Sequence, residues 1–377
     1  MMMAQIIETE HMLDELLPKR RLETSPPAEL RHAALQWSEL VWYEASLLGA
    51  AVLSEEDIAN GLSMLQNPVF ICGVHRSGTT LVQGLLDSHP QLSVLPSEGT
   101  YYTNIDAKLN SMPQSDWAKY MGTEWLRRMA NPINQPPYWL LGRSLIHQSP
   151  YVDFARYVQA WFNILPKAIN TQWPHSAIIL AYASVKGTLP SKYWVDKTPT
   201  NERFLQRIWA EFPKAKIIHV VRDPVATLTS RKAMEPGITL QNALKFLKTS
   251  YQVALAQSND SRYFLLKYED LCSNSESATQ ALTAFLQIEN SPELTKATVA
   301  GLPAKANSSF EKDPSIGKIL NAAEHQQQEL LTISDKKVIA AYVGKEAEAL
   351  GYQLPEADVL TQLYAKLRYD VLYRRGA

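Results

Sequence analysis

Cysteine is scarce in this sequence: its 377 residues include only two, Cys72 and Cys272. Two thiols cannot build the disulfide framework of a small secreted domain, so the simplest environment for the chain is a reducing compartment. Cys72 lies within a run of apolar residues, which predicts that it packs as a small core side chain. The cysteine content therefore excludes a disulfide-rich scaffold.

Long apolar runs are also lacking. Residues 1–23 carry acids and bases throughout, which excludes the apolar centre of a signal peptide or a signal anchor. No later segment reaches the roughly 18 uninterrupted apolar residues of a membrane-spanning helix. Together these two absences predict a soluble, cytoplasmic protein with no membrane span.

A strong net charge is the third absence. The chain has 37 lysines and arginines against 38 aspartates and glutamates, which gives a formal net charge of −1. This balance provides no whole-molecule field that would attract nucleic acid or an anionic membrane. We therefore predict no nucleic-acid partner, and we expect any anion site to be built locally.

Strand and helix signals alternate through the middle of the chain. Runs typical of strands occur at 69–72, 93–95, 193–195, 216–221 and 263–266, and helical patterns separate them. Strands that alternate with helices form a parallel sheet with helices on both faces. The pattern thus predicts an α/β protein with a P-loop-type three-layer α/β/α core and a central parallel sheet.

The same pattern divides the chain into parts. We predict a helical N-terminal extension over 1–66, an α/β domain over 67–355 and a C-terminal helix over 356–377. The α/β domain contains a largely helical, aromatic-rich insertion at about 101–190. Within the extension, apolar residues recur at helical spacing over 28–50. We interpret the extension as a packing element or a homodimer contact, and a role in holding a substrate is the alternative.

A glycine-rich loop follows the first predicted strand. Gly73 and Gly78 have the Gly-x4-Gly spacing of a P-loop, and helical character begins at once after Gly78. Backbone N–H groups at such a helix start bind phosphate-type anions. The lysine that a nucleotidase has after the second glycine is replaced by Thr79, and the loop cation is Arg76 instead. The candidate anion-binding residues are Gly73, His75, Arg76, Ser77, Gly78, Thr79 and Thr80. The alternative is a glycine turn without a ligand.

A second arginine stands at the end of the strand 216–221. Asp223 fits the N-cap of the next helix and Pro224 its first position. Ser230 lies about two turns along that helix, so its hydroxyl can share a face with Arg222. Ligands of α/β folds bind at the carboxyl edge of the sheet, where Arg222 is delivered. The alternative is that Arg222 pairs with a carboxylate near the helix start.

Two further segments place polar residues after strands. The strand at 193–195 leads to Asp196, Lys197 and Pro199, and the strand at 263–266 leads to Tyr268. A lysine at a strand end is by default a surface residue, and a structural role is open for Tyr268.

These segments, in this order, resemble those of sulfotransferases that use 3′-phosphoadenosine 5′-phosphosulfate (PAPS), and most closely the tyrosylprotein sulfotransferase-like branch. The resemblance covers about 67–290, with a weak stretch between about 103 and 190. It implies that the Arg76–Thr80 core binds the 5′-phosphosulfate and that Arg222 and Ser230 hold the 3′-phosphate. It also implies that Lys197 contacts the sulfate and the leaving phosphate and that Tyr268 borders the nucleotide.

The general base is implied less directly. In the tyrosylprotein branch a glutamate in a Gly-Glu-Glu-Thr-Arg context accepts the proton, whereas this chain reads Ser-Glu-Gly-Thr-Tyr over 97–101. Glu98 is the best match. Because cytosolic small-molecule sulfotransferases use a histidine base, the alternatives are histidines, of which His147 and His175 lie in the insertion. We interpret His75, within the loop, as a neighbour of the phosphate, and His219, on a buried strand, as structural. The family also has a late loop that closes over the nucleotide, to which Ser308 and Ser309 correspond.

The resulting hypothesis is an enzyme in which Arg76, Lys197 and Glu98 are catalytic. It transfers the sulfuryl group of PAPS to a hydroxyl on a phenol, tyrosine, sugar or other alcohol, small molecule or peptide, and releases adenosine 3′,5′-bisphosphate without a metal. A non-catalytic nucleotide-binding regulatory protein is one alternative. A P-loop kinase is another, which Thr79 disfavours. The tryptophans of the insertion suggest a ring-bearing acceptor or simply pack a core.

Overall fold

The computed structural model describes most of the predicted α/β domain. Described are residues 54–95, 98–117, 120–121, 176–235, 237–299, 301–303 and 330–368, together with six isolated positions, 28, 32, 36, 43, 47 and 319. The predictions for the N-terminal extension, for most of the insertion and for the end of the C-terminal helix therefore lie largely outside the described residues. The predicted domain boundaries stay predictions.

The predicted parallel sheet is confirmed. Its strands are β1 (Pro68–Cys72), β2 (Leu92–Val94), β3 (Tyr193–Lys197), β4 (Lys216–Val221) and β5 (Tyr263–Lys267). They follow the order β2-β3-β1-β4-β5, and both β2–β3 and β4–β5 pair in parallel. Non-consecutive neighbours of this kind need crossover connections, which the flanking helices supply. The fold class is therefore a three-layer α/β/α arrangement.

The burial of the strands explains why each of them appears in the sequence as an apolar run. All five residues of β1 and of β3 are buried, as parallel strands covered on both faces must be. The last residue of β1, Cys72, is a free thiol with no exposed surface. In β3 even Asp196 and Lys197 are buried, so two charged side chains lie at the end of an otherwise apolar strand.

The chain divides into two compact units. The first consists of Met1–Val69, Gln83–Lys197 and Lys296–Lys305. It contains helix α1 (Glu55–Met64), which begins with a capping box between Ser54 and Asp57. It also contains most of α2 (Thr79–Asp87), the short α3 (Asp106–Asn110) and α4 (Ser176–Lys186).

A small hairpin is joined to α2 within the first unit. Its strands, β6 (Thr298–Val299) and β7 (Leu302–Pro303), are antiparallel. The Asp87 carboxylate, at the end of α2, accepts hydrogen bonds of 2.7 Å from the Thr298 hydroxyl and from the Gly301 N–H. One carboxylate therefore attaches both sides of the hairpin turn to the helix.

The second unit consists of Phe70–Val82, Thr198–Thr295 and Ala306–Ala377. Its helices are α5 (Leu205–Glu211), α6 (Pro224–Met234), α7 (Leu240–Gln257), α8 (Tyr268–Ser273), α9 (Ser275–Leu286), α10 (Ile333–Ala349) and α11 (Val359–Lys366). A buried apolar cluster joins β4, α7 and α10 through residues such as Val221, Leu247 and Val343. In the described ranges, no helix is long and apolar enough to cross a membrane.

Candidate functional site

The glycine-rich loop lies between β1 and α2, as predicted. Gly73 has φ +135° and Gly78 has φ +104°, backbone conformations that L side chains rarely adopt. A Cβ atom at Gly73 would overlap the Val220 carbonyl oxygen, and one at Gly78 would overlap the Tyr268 ring. Both glycines are therefore required by conformation and by close approach, and α2 can begin directly after the loop.

We expect Gly78→Ala to lower the free energy of unfolding by about 2 kcal/mol, because it combines a strained φ with overpacking against Tyr268. Urea denaturation measures the change. Gly344→Ala on α10 is the matched control: a Cβ there meets nothing within 4 Å, so this variant should be as stable as the parent or more so. Equal stability of Gly78→Ala and the parent would contradict the strain argument.

The hydroxyl groups of the loop differ in burial. Ser77 is fully buried, and its Oγ has no hydrogen-bond partner among the described residues. Thr79 is 4% exposed, whereas Thr80 and His75 are exposed. A buried hydroxyl without a protein partner is unfavourable unless a ligand or water supplies one. The Ser77 Oγ atom therefore fits an anion bound by the loop.

Arg76 contacts two other predicted binding residues in the second unit, Ser230 and Arg222. Arg76 is a non-glycine residue with φ +75°, and its Nε atom donates to the Ser230 Oγ atom at 3.0 Å. Arg222 donates from Nη1 to the Arg76 carbonyl oxygen at 3.1 Å. The family resemblance implies that Arg76 binds one end of the nucleotide and that Arg222 with Ser230 binds the other. The structure joins all three in one cluster, hereafter the arginine cluster.

Local structure explains how α6 presents this cluster. Asp223 is the N-cap, accepting from the Ala226 N–H at 2.7 Å, and Pro224 occupies the first turn, both as predicted. Burial raises the pKa of Asp223, while the N–H groups that it accepts from and the charge of Arg222 oppose that shift. The Glu269 carboxylate accepts from the Asp223 N–H at 2.8 Å and from the Tyr352 hydroxyl at 3.0 Å. The start of α6 is thus fixed by the Asp223 side chain within the helix and by the Glu269 carboxylate from outside it.

Tyr268 lies between the loop and the arginine cluster. Its ring centroid is 4.4 Å from the Arg222 guanidinium carbon, a cation–π distance, and the ring also packs against Gly78. The side chain is 4% exposed. These contacts favour the structural alternative for Tyr268: the ring fixes Arg222 relative to the loop.

Glu98 and Lys197 form an ion pair in the first unit. The Lys197 Nζ atom lies 2.8 Å from the Glu98 Oε1 atom, and Lys197 is 3% exposed. The default interpretation of Lys197 as a surface residue is therefore wrong. The neighbouring Asp196 Oδ1 atom accepts from the Gly99 N–H at 2.8 Å, and a Cβ at Gly99 would lie 2.6 Å from that oxygen. Two consecutive residues of β3 thus hold the Glu98–Gly99 segment.

Of the four histidines considered as alternative bases, the structure describes His75 and His219. His219 is fully buried on β4, with its Nε2 atom 2.7 Å from the Ser250 hydroxyl and its Nδ1 atom bonded to the Tyr263 hydroxyl. Burial lowers the pKa of His219 to about 3, so the ring is neutral and has a structural role. His147, His175, Ser308 and Ser309 lie outside the described residues. Within the described part of the chain, no group of three His, Cys, Asp or Glu side chains could hold a metal ion.

Comparison with known proteins points to one family. The model of the sulfotransferase family matches residues 68–292, more than half of the chain. No curated protein sequence matches the chain. The solved structures that it is similar to include the sulfotransferase domain from the curacin biosynthetic pathway, with 19% identity, a TM-score of 0.45 and coverage of 76% of this chain and 98% of that one.

Two further solved structures are similar. One is the sulfotransferase domain from the Synechococcus PCC 7002 olefin synthase, with 20% identity, a TM-score of 0.40 and coverage of 81% of this chain and 95% of that one. The other is sulfotransferase STF9 from Mycobacterium avium, with 16% identity, a TM-score of 0.35 and coverage of 63% and 68%.

Proposed function

Because the chain belongs to the sulfotransferase family and is thus an enzyme that transfers a sulfuryl group, we propose that its donor is PAPS and its acceptor a hydroxyl group. The observation that carries the choice of donor is the arginine cluster beside the glycine-rich loop. A donor with phosphate groups at both the 3′ and 5′ positions needs two sets of anion-binding groups. The two sets that we propose are the loop N–H groups with the Ser77 hydroxyl, and Arg222 with Ser230.

In this proposal the loop binds the 5′-phosphosulfate. The N–H groups at the start of α2 and the helix dipole favour its negative charge, and the buried Ser77 hydroxyl adds a donor. Arg222 and Ser230 bind the 3′-phosphate, for which the planar guanidinium is well suited. Arg76, which is hydrogen-bonded to Ser230, adds a positive charge that favours binding of the phosphosulfate.

The chemistry is an in-line displacement at sulfur. The acceptor oxygen forms a bond to sulfur as the bond from sulfur to the bridging oxygen breaks, and adenosine 3′,5′-bisphosphate leaves with the electron pair. Glu98 takes the acceptor proton, and Lys197 with Arg76 neutralises the charge that develops on the departing and equatorial oxygens. A sulfuryl group carries less charge than a γ-phosphoryl group, so its transfer needs no metal ion.

The rival is a binding protein that keeps the fold without turnover, which the single glutamate of the Ser-Glu-Gly-Thr-Tyr stretch favours. Incubation with ³⁵S-labelled PAPS and a panel of phenols, sugars and tyrosine-containing peptides separates the two, because an enzyme labels at least one acceptor class. Calorimetry with adenosine 3′,5′-bisphosphate, AMP and ATP is the companion measurement. Tight binding of the bisphosphate without labelling supports the rival, and preference for ATP supports a kinase.

Compartment and assembly are part of the same proposal. We propose that the enzyme works in the cytoplasm, a reducing compartment, which suits two cysteines that are both free and buried. A homodimer through the N-terminal extension and membership of the tyrosylprotein sulfotransferase-like branch also stay proposals. Size-exclusion chromatography with light scattering measures the first, and labelling of the tyrosine peptides bears on the second.

A further inference from the structure

The segment that follows β3 holds the first glycine of the loop by both of its peptide groups. The Thr200 N–H donates to the Gly73 carbonyl oxygen at 3.0 Å, and the Gly73 N–H donates to the Glu202 Oε2 atom at 3.0 Å. The Thr198 N–H donates to the Ile71 carbonyl oxygen at 3.1 Å, which continues the contact into β1. Gly73 therefore has little freedom to rotate about its two neighbouring peptide planes.

Glu202 is an unusual residue for this place. It is 2% exposed, and besides Gly73 its carboxylate is hydrogen-bonded to Ser250, whose hydroxyl is bonded in turn to His219. Burial raises the pKa of Glu202, while its hydrogen bonds with Ser250 and Gly73 and the charge of Arg203 oppose that shift; the neutral His219 adds no charge. Burying a carboxyl group costs free energy that an apolar residue of the same size would avoid. Packing alone therefore does not account for a glutamate here.

Gly73 lies directly against the Ser77 hydroxyl. A Cβ at Gly73 would lie 2.8 Å from the Ser77 Oγ atom, so the Gly73 backbone forms one wall of the space that this hydroxyl occupies. Ser77 is the loop residue with a buried hydroxyl and no protein partner in the described ranges. A shift of Gly73 would therefore move the donor that the loop offers to an anion.

We propose that Glu202 is a positioning residue for sulfuryl transfer, which acts by accepting the Gly73 N–H and so fixing the loop and the Ser77 hydroxyl against the donor's phosphosulfate. This inference rests on the proposed function for the identity of the anion. A buried acceptor with its own hydrogen-bonded support, running from Gly73 through Glu202 and Ser250 to His219, is the arrangement that holds a binding group within a fraction of an ångström.

Three variants test the role of the acceptor. Glu202→Leu removes it and leaves the Gly73 N–H buried without a partner, so we expect the Kd for adenosine 3′,5′-bisphosphate and the KM for PAPS to rise about tenfold or more. Glu202→Gln keeps an acceptor oxygen and should stay within about threefold of the parent. Ser250→Ala removes only the support and should give an intermediate loss. The KM for the acceptor hydroxyl should not change in any of them.

Thr283→Val is the matched control, since Thr283 is a buried residue on α9 whose hydroxyl bonds within its own helix, to the Gln280 carbonyl oxygen. It should lower stability without changing Kd. Parent-like binding by Glu202→Leu, or equal losses in Glu202→Gln and Glu202→Leu, would overturn the acceptor role. If Glu202→Leu does not fold, Ser250→Ala decides: parent-like binding by that variant overturns the proposal.

Hydrogen exchange tests the role of Glu202 independently of the proposed function, because it needs no bound nucleotide. We expect the amides of the peptide 68–82 to exchange at least about tenfold faster in Glu202→Leu than in the parent or Thr283→Val, with no nucleotide present. If the parent binds no bisphosphate, the donor assignment fails, and unchanged exchange over 68–82 is then the result that overturns the role of Glu202. Faster exchange confined to this peptide supports that role whatever the nucleotide is.

Discussion

Lys197→Met should lower kcat for sulfuryl transfer by about a thousandfold while raising the Kd for adenosine 3′,5′-bisphosphate by at most about 30-fold. A preorganised donor aimed at developing charge contributes two to three orders of magnitude to kcat. Lys197 is suited to this because it is buried and held at 2.8 Å by Glu98, so its ammonium group needs no reorganisation before the reaction. Steady-state rates with labelled PAPS, together with calorimetry, measure the two quantities.

Lys192→Met provides the control for this variant. Lys192 directly precedes β3, at the opposite end of the strand from Lys197, and it is exposed. Its loss changes the net charge equally but should leave kcat unaltered. A Lys197→Met enzyme that retained most of its activity would show that the lysine merely balances the Glu98 charge, and the catalytic assignment would then be wrong.

Arg222→Ala should abolish the preference for adenosine 3′,5′-bisphosphate over AMP. We expect the bisphosphate to bind about 30-fold more weakly and AMP to bind nearly as before, because a charge-assisted hydrogen bond to phosphate is worth about 2 kcal/mol. Ser230→Ala should give a smaller loss of the same kind, since a hydroxyl brings no charge. Calorimetric titration of each variant with both nucleotides measures the preference.

Arg262→Ala is the matched control for the arginine cluster. Arg262 directly precedes β5, and because β4 and β5 are parallel it lies at the sheet edge opposite to Arg222. It pairs with Asp260 at 2.7 Å and lies 4.2 Å from the Trp209 ring. Its loss should therefore lower stability without changing how tightly the nucleotide phosphates bind. Equal nucleotide preference in Arg222→Ala and the parent would remove the basis for PAPS as the donor.

The fold was predictable because its signals are local. Strands buried on both faces leave apolar runs such as that over Lys216–Val221, and Asp223 with Pro224 marks a helix start by residue type alone. The glycine spacing likewise follows from local backbone requirements at Gly73 and Gly78. Sequence patterns record these requirements within a few residues, so strands, loop and helix starts could be derived from them.

The contacts that build the site were not predictable in the same way. The Arg76–Ser230 hydrogen bond joins residues 154 positions apart, and the Gly73–Glu202 bond joins residues 129 positions apart. Neither contact produces a periodic pattern in the sequence, because each depends on which strands are neighbours in the sheet. A local hint did exist for Glu202: it follows closely on the Lys197 segment, yet no spacing rule indicates that its carboxylate is buried.

The burial of Cys72 gives the protein a natural reporter of how its first strand opens. The thiol directly precedes Gly73, it has no exposed surface, and burial raises its pKa well above the ordinary value. Alkylating reagents react with thiolates, so they modify Cys72 only in molecules whose strand has separated from its neighbours. The rate of alkylation at Cys72 itself, measured apart from that at Cys272, therefore reports how often the strand that leads into the glycine-rich loop opens.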